Sequence, residues 1–500
     1  LKTYSRIPLA EFLPQLSNPQ FYGDLEQIRF SDEQAYHIYA ELDLNLDLAA
    51  AEDASKAMRY LELIEDFATI SDRVCQLAGA SILEVQGSRI HFLLPALPPK
   101  AFPEGLVKVV AFSAALMRMA YAELRESAGD HWKGFSIAAD YGLAVFVPST
   151  FGGGSVVSLG RVANRPAKRL SQGVASGHLA LPSELGGTLP GGVKSGDWTL
   201  LHVNQPSAEL AALFDRQLDG DISRIARGVL LNPTRAARAF VNIFSADTLG
   251  KQPLRDRGMC LRADLDGFTK AVEAAFAGGP AAVMELVRHF TEIMEYPREF
   301  MKLQPGRRIV ELPWAGDCCT LFVRPASNES VEDLRQVFPV EGGRLWHGVA
   351  DTQVDIKRWK SALGDAKWAT GFACGDADEG GNGWAIVAEI PTSKRRFRVI
   401  AGWCARRAQD AQECTGIGAE HVALPKVDFD NLEAVLKPLF RDVANHPTYS
   451  FSTYAKLKEA RQSIARSLAG STPVRATGVT TSLPRPRPYG LRYGPDVPAK

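Results

Sequence analysis

The sequence has no surplus of charge of either sign: Lys and Arg together number 57, as do Asp and Glu. That balance removes the electrostatic footprint of a nucleic-acid binder or of a protein held on an anionic membrane. Cysteines at metal or redox spacing are also missing. The seven stand at 75, 260, 318, 319, 374, 404 and 414, and none forms a CxxC pair, so neither a zinc site nor a thioredoxin-like motif is indicated. Adjacent Cys318 and Cys319 would point to opposite faces of a strand. Reduced, mostly buried thiols are expected. A long unbroken apolar run is absent too. The most apolar helical stretch, residues 106–122, is interrupted by Lys108 and Arg118 and reads as an amphipathic core helix, not a membrane span. No secretory signal is legible at the start. The expectation is a cytoplasmic protein with neither nucleic-acid nor membrane partners.

What is present is an ordinary globular composition, 46% apolar and 23% charged over 500 residues. That length suggests two or three domains. Residues 35–43 suit a strand and 48–79 suit helices. ILEVQ and RIHFLL are two short strands joined at Gly87-Ser88, a hairpin signal. A helix at about 104–128 follows, then FSIAAD and GLAVFV as a second strand pair, a loop at Gly152-Gly153-Gly154 and a helix over 161–172. The second half repeats the order. MCLRAD (259–264) suits a strand and 267–302 suit helices. RIVELP and CCTLFV form a hairpin around Gly316-Asp317, and 353–364 suit a helix. WATGFAC and GWAIVAEI are strands, and a helix starts near Gly402. Similar spacing from first strand to hairpin turn suggests duplication, and the order fits an antiparallel sheet backed by helices, an α+β fold. The expected organisation is 1–205, a mostly helical linker 206–254, 255–425, a helical extension 426–470 and a disordered tail 471–500 rich in Pro, Gly, Ser and Thr.

Two local patterns carry chemistry. In Arg262-Ala263-Asp264-Leu265-Asp266-Gly267-Phe268-Thr269 an apolar strand ends in an aspartate and a Gly-containing turn opens a helix. In Trp314-Ala315-Gly316-Asp317-Cys318-Cys319 an aspartate sits on a hairpin turn. If the two strands are neighbours, Asp264 and Asp317 converge at one sheet end. Paired hard-oxygen ligands are what divalent ions need around a triphosphate, and the Gly267-Phe268-Thr269 backbone at a helix start could hold phosphate oxygens. Singly, each aspartate is ordinary turn or N-cap chemistry; the pair is far more specific.

These segments resemble the class III adenylate and guanylate cyclase catalytic domain, matched here by ADLDGFT and AGDC. The resemblance implies that Asp264, Asp317 and the Leu265 carbonyl hold two Mn²⁺ or Mg²⁺ ions. It also implies a second, head-to-tail domain supplying a helix with an Asn and a basic residue. The first half offers Gly160-Arg161-Val162-Ala163-Asn164-Arg165-Pro166-Ala167-Lys168-Arg169-Leu170. Asn164 and Lys168 are four apart and share a helix face; Arg169 falls off that face, and Pro166 is expected to lie in the first turn, where it is tolerated. The halves have complementary losses. The first has Glu41 and Ser88 where Asp264 and Asp317 stand; the second has Arg406 and Asp410 where the Asn and basic residue should be. Two ferredoxin-like cyclase domains in one chain, a pseudo-heterodimer, would then build one site.

Purine-specific relatives read the base with residues that fall here at Val157 and near Ser81 or Ile82. No Lys lies in ILEVQ, and the guanine pattern of Glu and Cys does not fit those positions, although Glu84 is nearby. No base-binding residue is assigned. The helix VANRPAK looks more like the pyrimidine cyclases of bacterial Pycsar anti-phage systems. That resemblance implies UTP or CTP as substrate, UTP favoured, and a separately encoded cyclic-nucleotide effector. A purine cyclase and a non-catalytic nucleotide-binding regulator are the alternatives.

Overall fold

The computed structural model describes residues 2–23, 26–46, 54–95, 102–149, 154–213, 241–242, 257–266, 268–302, 306–336, 367–374, 385–415, 422–443, 446–453 and 456–457. The chain is mixed α and β, and its two large sheets carry the same strand order. The first-half sheet runs β3-β4-β2-β5-β7-β9-β8. Its strands are β2 (Gln27–Leu44), β3 (Ser81–Gln86), β4 (Arg89–Pro95), β5 (Trp132–Ser149), β7 (His178–Pro182), β8 (Val193–Ser195) and β9 (Trp198–His202). The second runs β12-β13-β11-β14-β17-β19-β18. Its strands are β11 (Met259–Asp266), β12 (Arg308–Glu311), β13 (Cys318–Arg324), β14 (Lys367–Cys374), β17 (Val422–Pro425), β18 (Arg441–Val443) and β19 (His446–Ser452). The correspondence extends to strand sense. The β5–β7 and β14–β17 pairings are both parallel, and the pairings that follow them are antiparallel.

Two expectations are corrected. FSIAAD and GLAVFV are one continuous strand, because β2 pairs with β5 from Ser31 to Leu44 and leaves no turn at Tyr141-Gly142. Residues 426–470 are not a helical extension as far as they are described. After a short Lys426–Asp430 helix, β18 and β19 complete the second sheet, with Leu424 opposite Ser450 and Ala423 opposite Phe451. Aromatic and serine residues alternate over Tyr449-Ser450-Phe451-Ser452, with Tyr449 and Phe451 packed against Ala411 and Ala423, a period-two signal inside a stretch too short to be clear. The 353–364 helix, the Gly152-Gly153 part of the loop, the 471–500 tail and most of 206–254 lie outside the described residues.

Each half lends a hairpin to the other. β6 (Ser155–Leu159) pairs with the end of β5. Val145, Val147, Val157 and Leu159 from this pair are buried in one cluster with Val283, Val287 and Phe290 of the Pro280–Lys302 helix. Reciprocally, β15 (Ala385–Pro391) and β16 (Arg396–Gly402) form a hairpin. Its Ile386, Ile390, Phe397 and Val399 join Leu61, Ile64 and Phe67 of the Ala54–Ala78 helix. At about 1.5–3 kcal/mol for each fully buried large apolar side chain, neither arm is a surface ornament. The Gly105–His131 run is long and apolar enough by composition to cross a membrane, yet 72% of its most apolar window is buried inside the fold. Val109, Phe112 and Leu116 belong to the same cluster as the hairpin arm.

Candidate active site

β11 lies between β13 and β14, and Asp264 stands opposite Cys318 in the β11–β13 register. The turn leading into β13 is tight: Ala315 and Cys318 exchange both backbone hydrogen bonds, at 2.9 and 3.0 Å. Gly316 sits in that turn at φ +62°, a conformation glycine adopts without the Cβ penalty, and Asp317 follows it. Both carboxylates act on Cys318. Burial pushes the Cys318 thiol up to about 12, the Arg262 charge opposes this, and the charges of Asp264 and Asp317 add to it. Asp264 thus lies across from Cys318, and Asp317 directly precedes Cys318 at the turn. Among the described residues no group of three His, Cys, Asp or Glu side chains gathers, so a divalent ion here would need ligands besides the two carboxylates. The Leu265 side chain is buried in the core, which leaves its main-chain carbonyl as its contribution. This hard-oxygen donor set suits Mg²⁺ or Mn²⁺ completed by triphosphate oxygens.

The helix Arg161–Ser171 brings Asn164 to the same place from the other half. Its Nδ2 donates to Thr269 Oγ1 at 3.1 Å, and a Cβ added to Gly316 would lie 3.6 Å from Asn164 Oδ1. Asn164 thus touches the helix start after Asp264 and the turn that carries Asp317. Lys168 is exposed. Arg169 reaches the other way, its Nη2 donating to Ser195 Oγ at 3.3 Å, as expected for a residue off the Asn164 face. Pro166 is not in the first turn: the helix opens at Arg161 behind Gly160, so Pro166 lies inside it and removes the backbone bond to the Val162 carbonyl. The Phe268 side chain is core, tilted against Phe290 at 5.1 Å, so only its backbone could serve a phosphate. Gly267 lies outside the described residues.

The positions that lack these groups are satisfied internally. Glu41 is ion-paired with Arg89 at 2.9 Å, and Arg89 also donates to Ser171 Oγ at 3.1 Å. The Ser88 N–H donates to the Tyr60 hydroxyl at 2.9 Å. Arg406 pairs with Asp410 one helical turn on, at 2.9 Å.

Sequence reasoning left three groups unassigned. Glu84 is buried, its Oε1 has no hydrogen-bond partner among the described residues, and it acts electrostatically on Cys318 across the halves. Burial raises its carboxyl to about 8 against the pull of Gln86, Arg395, Arg262 and Arg89. Arg395, from the β15–β16 turn, donates to the Ile82 carbonyl at 2.7 Å, to the Leu83 carbonyl, and to Tyr22 Oη at 3.2 Å. Asp140 is buried beside Arg165 at 3.5 Å. A charged residue inside an apolar strand, as in ILEVQ and FSIAAD, was the available signal for Glu84 and Asp140; Arg395 in TSKRRFR gave none.

No protein-family model matches the chain, and no curated protein does. Among solved structures, a class III adenylyl cyclase-like ATP-binding protein from Pseudomonas aeruginosa is similar with a TM-score of 0.63. It is 19% identical, over 91% of this chain and 100% of that one. The guanylyl cyclase Cya2 (TM-score 0.28, 14% identity) aligns over 36% of this chain and 96% of its own. The adenylyl cyclase CyaB from P. aeruginosa (TM-score 0.28, 11% identity) aligns over 36% of this chain and 98% of its own. The first of these, spanning nearly the whole chain, shows that the protein has the fold of a class III adenylyl cyclase-like protein.

Proposed function

We propose that the chain is a nucleotidyl cyclase with one composite site, converting a nucleoside triphosphate to its 3′,5′-cyclic monophosphate and pyrophosphate. One observation carries this reading: Asn164 of the first half lies on Thr269 and against Gly316, beside the two aspartates of the second half. Asp264, Asp317 and the Leu265 carbonyl would hold two Mn²⁺ or Mg²⁺ ions, which supply Lewis acidity to the ribose 3′-OH and the triphosphate. Asn164 would orient the ribose, and the N–H groups at the start of the Phe268–Ala277 helix would receive phosphate oxygens. Lys168 is the cation favoured for the α-phosphate, since Arg169 is engaged at Ser195. In-line attack of the 3′ oxygen on the α-phosphorus forms one P–O bond and breaks the bond to the pyrophosphate leaving group.

UTP is the favoured substrate. Val157 packs its side chain into the apolar cluster with the second half and offers a base no hydrogen bond. Ser81 is taken by Lys394 Nζ at 3.0 Å. Glu84 remains, and a carboxyl raised by burial towards its protonated form both donates and accepts, which suits the donor–acceptor edge that uracil shares with cytosine and adenine better than the two-donor edge of guanine. The Pycsar-like helix argues for an anti-phage signal read by a separately encoded effector. A second reading is a nucleotide-binding regulator, since the similar P. aeruginosa protein is described as ATP-binding. Incubation with all four NTPs and Mn²⁺, with products identified by mass spectrometry, separates the readings. cUMP supports the full proposal, a purine product corrects the base, and retained nucleotide without any product favours the regulator.

A further inference from the structure

The helix bearing Asn164 begins without a side-chain N-cap and carries a proline in its body, so its own chemistry fixes it poorly. Its bed is the middle of β5. A Cβ on Gly142 would lie 2.7 Å from Val162 Cγ1, and one on Gly160 would lie 3.1 Å from the Leu143 carbonyl oxygen. Past these close approaches along the helix stands Arg165, the residue after Asn164. Its Nη1 donates to Glu184 Oε1 at 2.8 Å and lies 3.5 Å from Asp140 Oδ2. Its guanidinium stacks 5.2 Å from the centroid of the Trp198 ring. A planar cation held on three sides is a rotational stop, because adjacent helix residues point about 100° apart.

We propose that Arg165, clamped by Asp140, Glu184 and Trp198, is a positioning residue that sets the rotation of the Arg161–Ser171 helix and so aims Asn164 at Thr269 and the Gly316 turn. This rests on the cyclase reading of the site. Asp140 makes the clamp pH-sensitive. Burial raises its carboxyl to about 6; the Tyr141 N–H, Arg165 and Arg161 oppose that, and Glu184 adds to it. Protonation below about pH 6 therefore weakens the buried arm of the clamp.

The test uses the full chain and the variants Arg165→Ala, Arg165→Lys, Asp140→Asn and Glu184→Gln. The last alters a mostly exposed carboxylate and keeps the test available if a buried change fails to fold. With the active NTP and Mn²⁺, Arg165→Ala should lower kcat by about 10- to 100-fold, the range a misplacement near 1 Å produces, with KM within about threefold. Arg165→Lys should recover part of the loss, and Glu184→Gln should fall between wild type and Arg165→Ala. Wild-type kcat should drop below about pH 6, and Asp140→Asn should be low and flat across that range. Hydrogen exchange in residues 161–171 should accelerate in Arg165→Ala and Glu184→Gln. Unchanged kcat in both variants overturns the proposal. So does a kcat loss with unchanged exchange, which would make Arg165 a direct substrate contact. If wild type makes no product from any NTP, the cyclase reading fails. The clamp is then decided by exchange alone, and unchanged protection overturns it.

Discussion

Asp264 lies two residues before the end of β11 and Asp317 on a turn, and neither belongs to the apolar core, so their removal should separate activity from stability. Asp264→Ala and Asp317→Ala should each reduce turnover by at least about a hundredfold, the scale of losing a preorganised charge-stabilising group. Melting temperature should shift by no more than a few degrees, and wild-type turnover in both would sink the metal assignment. Glu84 is the opposite case, a group whose protonation is written into folding. Its carboxyl moves from an ordinary 4.5 to about 8 on burial. Between those values the folded chain holds a proton that the unfolded chain has lost. The stability tied to it is fully present below about pH 4.5 and is lost as pH rises towards 8, with a limiting slope of about 1.4 kcal/mol per pH unit. Glu84→Gln removes that slope. Denaturation of wild type and variant at pH 5, 6.5 and 8 should show the gap moving in favour of the variant as pH rises; a constant gap would mean Glu84 is ionised in the fold.

At the scale of elements, the sequence made the site's scaffold readable because its signals were local. Gly87-Ser88 and Gly316-Asp317 each mark a turn between short apolar runs, and both hairpins stand where expected. The aspartates were legible because they interrupt that pattern. What escaped was long-range. β5 is one strand only because β2 pairs along its length. The β18–β19 pair exists only because β17 offers an edge, and no local window contains that edge. The N-terminal Phe12, Leu16, Phe21 and Tyr22 pack on Leu83, Leu93, Phe146 and Val156, partners far away in sequence. The β15–β16 hairpin depends most on this kind of contact. Arg395 joins its turn to the Ile82 and Leu83 carbonyls at the irregularity in the β3–β4 register. Arg395→Ala would leave those acceptors without their charged donor and should cost about 2–4 kcal/mol in urea denaturation. Arg396→Ala at the start of β16, an exposed residue paired with Glu389 at 3.6 Å, should cost under about 1 kcal/mol. Equal effects would mean the turn does not clamp the two halves.

At the scale of the whole molecule, duplication and divergence have different consequences. Two sheets with one strand order could in principle carry two sites, but the Glu41–Arg89 and Arg406–Asp410 pairs close the second position on itself. Ser88→Ala and Arg406→Ala should therefore lower turnover far less than Asp317→Ala or Asn164→Ala. The exchanged hairpins join the two halves within one chain, so the site proposed above would be an intrachain one. Val145, Val147, Val157 and Leu159 complete the second half's core, and Ile386, Ile390, Phe397 and Val399 complete the first half's. A fragment ending near residue 205 would expose one apolar face, and a fragment starting near 255 the other, so each half expressed alone should aggregate, whereas co-expression should give a soluble complex. A single-domain cyclase must find a second copy to bring its Asn helix to its aspartates, and it loses specific activity when diluted below the dimer's dissociation constant. Here Asn164 meets Thr269 within one chain. Specific activity should stay constant from micromolar down to nanomolar protein, measured by product mass spectrometry. A larger assembly on a sizing column would not conflict with that result, because other surfaces can associate. A steep loss of specific activity on dilution would, since it would put the working contact between chains.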